Sequence, residues 1–340
     1  MRHLPVIDIS ELRTSGADSL SVVRQLDDAC RLDGFFVVTN HGIEAQLASD
    51  LESLSRTFFD LPESEKSLIA MEHAGIAWRG WFPLGGEVTS GIPDQKEGLY
   101  FGTELDPSDP RVREGWPLHG RNLFPMNPAG MKNLVLRWMN EVTLLGSDLM
   151  RGIAMGLGID ENWFADNLTA DPTILVRIFT YPAMSDLDMS DQTVSVPRSE
   201  WGVGEHTDYG LLTILWQDDC GGLEVFSSGE WLAVDPIPNA FVCNIGDMLE
   251  RLTNGLYRST PHRVRNLSGR NRLSFPLFYD PSWNSHVVPL PIAASTQRAE
   301  PRSRWDGTEP LAWNGRYGDY LSKKVSKAFP KLFEKVIRNN

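Results

Sequence analysis

His206, Asp208 and His262 are the residues of this 340-residue chain whose types and spacing most directly imply chemistry. They sit in Trp201–Gly210 (WGVGEHTDYG) and in Ser259–Arg265 (STPHRVR). A His-x-Asp pair with one distant His offers two imidazoles and a carboxylate. That facial set holds a divalent metal such as non-haem Fe(II) and leaves positions open for a co-substrate and O2. On a strand, residues two apart share a face, so His206 and Asp208 are expected to point one way and Thr207 the other. A second strand must then return His262, 262 − 206 = 56 residues downstream. His-x-Asp alone is a common pattern, and residues downstream of His262 make it specific.

Ten residues after His262 comes Arg272, and two after that Ser274, in Asn271–Pro276 (NRLSFP). A guanidinium fork beside a hydroxyl suits a carboxylate held in a pocket closed to water. Arg-x-Ser by itself fits an arginine paired with a structural acid equally well. The joint spacing of His-x-Asp, His and Arg-x-Ser is much harder to produce by accident.

With these residues in place, the chain resembles the 2-oxoglutarate- and Fe(II)-dependent dioxygenases of the isopenicillin N synthase-like family. The likeness covers most of the sequence. Leu4–Leu12 (LPVIDISEL), Asp33–Ile43 (DGFFVVTNHGI) and Phe58–Lys66 (FFDLPESEK) are similar to the family's opening region. Gly204–Asp218, Gly221–Val225, Phe241–Asn254 and Tyr257–Asn266 resemble its catalytic barrel in order and spacing. The resemblance implies that His206, Asp208 and His262 are iron ligands and that Arg272 and Ser274 clamp the distal carboxylate of 2-oxoglutarate. It also implies that Tyr181, in Arg177–Pro182 (RIFTYP), bonds the co-substrate; the family's preceding Asn and Tyr are Phe179 and Thr180 here. Fe(II), 2-oxoglutarate and O2 are the implied cofactor and co-substrates. The implied reaction hydroxylates, desaturates or cyclises a small molecule and releases succinate and CO2. Two alternatives stay open. One is a same-fold Fe(II) oxidase that uses no 2-oxoglutarate, like isopenicillin N synthase or aminocyclopropane-carboxylate oxidase. The other is a non-catalytic small-molecule binding module.

Composition narrows the setting. With 45 acids against 32 bases the formal charge is −13, which argues against nucleic acid or an anionic membrane as partner. Three cysteines without a pairing pattern make no disulfide framework, so a reducing cytoplasm is expected. No run approaches the ~18 apolar residues of a membrane span, and Asp8 and Glu11 break any signal-like start. A monomer acting on a small molecule is the expectation.

The elements that must position the site are a mainly β fold with flanking helices. They form a double-stranded β-helix (jelly roll) core braced by N-terminal helices and a C-terminal helix. Eight strand candidates lie beyond Thr173: 174–179, 210–216, 223–226, 231–234, 241–245, 257–264, 272–279 and 286–289. Helical spacing marks 17–32, 45–59, 63–71, 131–157 and 317–333, with a small helix 248–252 capped by Asp247. Residues 72–126, rich in Gly, Pro and Trp, read as a functional loop region. The expected division is a helix-rich region 1–170, a jelly-roll core 171–290 and a C-terminal segment 291–340. Trp81, Phe82, Phe101, Arg177, Trp216 and Phe278 are the candidates for the substrate pocket, together with Tyr100, although an aromatic in such a fold is more often core. Arg79 and Arg177 could anchor an acidic substrate. His41 reads as a turn residue, His73, His119 and His286 as surface or loop, and Asp186 and Asp188 as a solvated loop.

Overall fold

Runs of Val, Ile, Phe and Thr bounded by Gly, Asn and Pro form most of the strands, as side chains suited to a pleated, half-buried surface should. The computed structural model describes residues 2–14, 19–89, 91–183, 201–290, 292, 304, 307–330 and 333–334; Asp186 and Asp188 lie outside them. The first half contributes β1 (Val6–Asp8), β2 (Phe35–Thr39), β3 (Gly80–Phe82), the short pair β4 (Val88–Thr89) and β5 (Ile92–Pro93), and β6 (Glu97–Gly102). The second half contributes β7 (Pro172–Tyr181), β8 (Val203–His206), β9 (Leu212–Gln217) and β10 (Leu223–Ser227). It continues with β11 (Glu230–Val234), β12 (Phe241–Ile245), β13 (His262–Val264) and β14 (Arg272–Ser282).

Eight of these form one sheet in the order β1-β2-β12-β9-β14-β7-β6-β3, and four form a second in the order β11-β10-β13-β8. The fold is the expected jelly roll with flanking helices. The region before residue 170 does more than brace it, because β1, β2, β3 and β6 extend the large sheet on both sides. Two of those strands, β3 and β6, lie inside the stretch expected to be loop. Gly80 and Gly98 dilute their apolar runs, which hides them from pattern reading.

Strand parity organises the core. On β14 the even residues Arg272, Ser274, Pro276, Phe278 and Asp280 face a cavity bordered by both sheets. The odd residues Phe275 and Tyr279 face the helix Met131–Gly156, where Phe275 meets Trp138 and the Tyr279 hydroxyl lies 3.1 Å from Ser147 Oγ. That helix buries Val135, Trp138, Val142, Leu145, Leu149 and Ile153, a stripe at three- and four-residue spacing. The final helix, Tyr317–Ala328, turns Leu321, Val325 and Ala328 toward the cavity.

Other boundaries differ from expectation for local reasons. The segment 257–264 is extended only from His262, because Pro261 interrupts it. Around 286–289 a single bridge, His286 to Arg316, replaces a strand. Asp247 is the first residue of its helix, with Gly246 at the cap. Its buried carboxylate instead accepts bonds from Ser259, Arg304 and Tyr320. His41 is a structural residue. It is buried, its Nδ1 accepts from the Ile43 N–H at 3.2 Å, and its ring packs on Phe241. Among the described residues no helix is long and apolar enough to cross a membrane.

Candidate metal centre and its pocket

Strand β8 ends on His206, β13 begins on His262, and the two are direct partners in register. Their ring centroids are 4.2 Å apart. Asp208 comes from just past the end of β8, so it does not share a strand face with His206 as the two-residue spacing suggested. The chain turns there, fixed by the Asp247 N–H donating to the Asp208 carbonyl at 2.8 Å. The turn brings Asp208 Oδ1 to 3.9 Å from Nε2 of both histidines.

Each candidate ligand residue is oriented by a partner. His206 Nδ1 lies 2.8 Å from the Gly204 carbonyl and His262 Nδ1 3.2 Å from the Thr260 carbonyl. A carbonyl can only accept, so each Nδ1 carries the proton and each Nε2 lone pair faces Asp208. The other carboxylate oxygen, Oδ2, accepts from Thr213 Oγ1 at 2.5 Å and from Asn244 Nδ2 at 2.7 Å. Burial, then the adjacent His262, pushes the His206 imidazole down to about 3, the direction that keeps it neutral at pH 7. Burial pushes the Asp208 carboxyl up, but His262, His206, Asn244 and Thr213 outweigh it and hold the group below its ordinary value. Two imidazoles and a carboxylate, their donor atoms all within 4.8 Å of one another, fit a divalent metal ion.

Arg272 is fully buried on β14, in the larger sheet rather than the sheet of β8 and β13, and lies opposite Tyr181 in the β14–β7 register. Its Nε donates to the Gly221 carbonyl at 2.7 Å and its Nη2 to Gln217 Oε1 at 2.9 Å. Its Nη1 is buried with no hydrogen-bond partner. A buried guanidinium N–H without an acceptor is costly, and it points at an anion. Ser274 Oγ and the Tyr181 hydroxyl, 3.4 Å apart, stand beside it. All three line the same cavity as the triad, about 140 Å3 in volume.

The pocket candidates divide by strand parity. Arg177 and Phe278 line the cavity; Trp81, Phe82, Phe101 and Trp216 do not. Trp81 donates its indole N–H to Glu97 at 2.8 Å, and Phe101 and Trp216 stack on Phe124 and Phe275 on the outer face of the sheet. Phe82 sits a layer back, edge-on to Tyr100 and Phe329. Tyr100 does line the cavity, one residue from Phe101 and so on the opposite face. Arg79 lies elsewhere, in a second cavity.

Sequence reading misses a polar wall. Glu87 accepts from the Tyr100 hydroxyl at 2.6 Å and pairs with Lys96 at 2.9 Å, while Lys96 also pairs with Asp94. The Arg177 guanidinium stacks on Tyr100, 3.4 Å from the ring centroid. Asn244 and Thr213, which hold Asp208, are missed as well. Neither carries a sequence signal of its own: Thr213 lies in the apolar run of β9 and Asn244 in that of β12.

The chain is similar to known proteins over most of its length. The model described as non-haem dioxygenase in morphine synthesis N-terminal matches residues 4–127, and that of the 2OG-Fe(II) oxygenase superfamily matches residues 174–281. A probable iron/ascorbate oxidoreductase of Dictyostelium discoideum is 45% identical over 99% of this chain and 98% of its own. A 1-aminocyclopropane-1-carboxylate oxidase of Dictyostelium mucoroides is 35% identical over 97% and 96%. A homoarginine-6-hydroxylase of Glycine max is 37% identical over 97% and 98%. Among solved structures, a full-length Neurospora crassa protein in complex with alpha-KG and thymine superposes with a TM-score of 0.76 at 26% identity, covering 95% of this chain and 96% of that one.

Proposed function

The chain belongs to the 2OG-Fe(II) oxygenase superfamily, and from that premise we propose that His206, Asp208 and His262 hold the iron while Arg272, Ser274 and Tyr181 hold 2-oxoglutarate. The protein is an oxygenase that uses Fe(II), 2-oxoglutarate and O2 to oxidise a small molecule. The iron centre supplies the power to cleave a substrate C–H bond, with 2-oxoglutarate leaving as succinate and CO2.

The residues of the chain bind, orient and exclude water. The Gly204 and Thr260 carbonyls fix both imidazoles with Nε2 inward, and Thr213 and Asn244 pin one carboxylate oxygen so that the other faces the histidines. The free Nη1 of Arg272 receives the distal carboxylate, supported by the Ser274 and Tyr181 hydroxyls. Leu321 and Val325 close the far side with apolar surface. The observation that carries this reading is the buried, unpaired Nη1 of Arg272 in the same cavity as the triad.

For the substrate we infer a small molecule bearing charged groups, of the amino-acid class. The wall of Glu87, Lys96, Tyr100 and Arg177 offers both signs of charge in a buried setting, where such groups select strongly. Relatives whose names specify homoarginine and 1-aminocyclopropane-1-carboxylate support the class. Succinate release should be screened across amino acids and their guanidino derivatives, with apolar acids as controls. Stimulation by the apolar acids alone would reject the class.

We further propose a monomer in the reducing cytoplasm, supported by free cysteines of which Cys30 and Cys243 are buried. Residues 171–290 would act as the catalytic core between the flanking regions 1–170 and 291–340.

A further inference from the structure

Arg79 is a buried cation that the oxygenase reading leaves without a task. Its side chain is closed off from solvent, at 2% exposure for the residue. Nη2 donates to the Leu118 carbonyl at 2.7 Å, while Nε and Nη1 are buried without a hydrogen-bond partner. Among the described residues no carboxylate lies within ion-pair distance of it. The guanidinium packs flat against Gly102, where a Cβ would sit 2.2 Å from Nη2, so the glycine is what admits it. A fixed, desolvated guanidinium with two unused donors is the unfinished half of an anion site.

The second half of that site is a cavity. Arg79 lines a space of about 200 Å3 that is separate from the triad pocket and meets it only at Leu175. Thr103, Thr173 and Ser282 bring hydroxyls to its wall, and His119 brings a ring held edge-on to Trp283. Arg111 also lines it, but is already paired with Asp109 and Asp171. Arg79 is therefore the cation left to be matched.

We propose that this cavity is a second, non-catalytic binding site for a small oxyanion, a carboxylate or a phosphate, that accepts from an unpaired N–H of Arg79. A charge-assisted bond from the guanidinium suits either group, and the hydroxyls around it complete the coordination. Because Leu175 lies on β7 with Arg177 and Tyr181, an occupant would brace the strand that also walls the catalytic pocket.

The test titrates inorganic phosphate and, separately, acetate into the full-length protein by calorimetry. Saturating Fe(II) and 2-oxoglutarate are present without O2, so that the Arg272 pocket is filled. Saturable one-to-one binding of at least one probe is expected, and the preferred probe tells a phosphate site from a carboxylate site. Arg79→Met should weaken that binding roughly ten- to a hundredfold, the loss of a charge-assisted bond. Thr103→Phe fills the cavity from its half-exposed wall, leaves Arg79 in place and should abolish binding even if Arg79→Met fails to fold. No saturable binding of either probe to the wild type, or unchanged binding in Thr103→Phe, would overturn the proposal.

Discussion

His206 and His262 face each other as register partners of β8 and β13, each with Nε2 3.9 Å from the same oxygen of Asp208. The other oxygen of Asp208 is held by Asn244 and Thr213. Partners that orient a metal ligand typically contribute about 10–100-fold in metal affinity or activity. Asn244→Leu is therefore expected to weaken Fe(II) binding by about that factor while leaving the KM for 2-oxoglutarate little changed once iron is saturating. Anaerobic Fe(II) titration of the variant against wild type measures it.

Arg272 is buried with Nη1 unpaired, and 2-oxoglutarate has a carboxylate to give it. Removing one partner of a buried ion pair costs about 3–5 kcal/mol, which is roughly 10²–10³-fold or more in affinity. Arg272→Leu should keep its iron but require far more 2-oxoglutarate for half-maximal succinate release. Unchanged co-substrate affinity in the iron-loaded variant would remove Arg272 from the clamp.

Phe101 and Tyr100 are neighbours on β6 with opposite tasks. Phe101 is fully buried and stacks on Phe124, so Phe101→Ala is expected to cost about 3–5 kcal/mol of stability without altering substrate KM. Tyr100→Phe deletes only the hydroxyl that donates to Glu87, and should raise substrate KM with the smaller stability loss. Thermal denaturation and steady-state kinetics of the two variants separate these outcomes.

Asp280 gives the fold a pH dependence. Burial pushes its carboxyl up to about 7, against the bond from the Tyr317 hydroxyl. The folded state thus binds a proton between pH ~4 and ~7 that the unfolded state has released. Its contribution is fully present below the unfolded value and is lost as pH rises through about 7. Asp280→Asn should flatten the fall in unfolding free energy between pH 5 and 8, a difference on the order of a few kcal/mol that thermal denaturation across that range reads. An identical slope in the variant would assign the dependence to other groups.

How much of this is legible in the sequence depends on strand geometry. Arg272 and Ser274 are expected on one strand face and lie there, and the same parity extends to Phe278 and Asp280. The same rule excludes Phe101 and Trp216 once the inward residues Tyr100, Thr213 and Leu215 are known. The sequence does not mark which parity is inward, and without it an aromatic reads alike on either face. Strand β8 escapes pattern reading because Val203–His206 is four residues long and flanked or interrupted by glycines before its His, too short to show alternation. The Glu87–Lys96 wall is hidden for a different reason. It depends on a fold-back of the β4–β5 pair within a stretch whose composition reads as loop.

The central claim is that one cavity couples an iron held by His206, Asp208 and His262 to the turnover of 2-oxoglutarate. The most direct test measures succinate formed from 2-oxoglutarate by wild type and by Asp208→Ala, with Fe(II) and O2 supplied or withheld in turn. Wild type should form succinate only when both are present, and Asp208→Ala should form almost none while remaining folded. Succinate formation undiminished in Asp208→Ala, or O2 consumption by the wild type without succinate, would contradict the account.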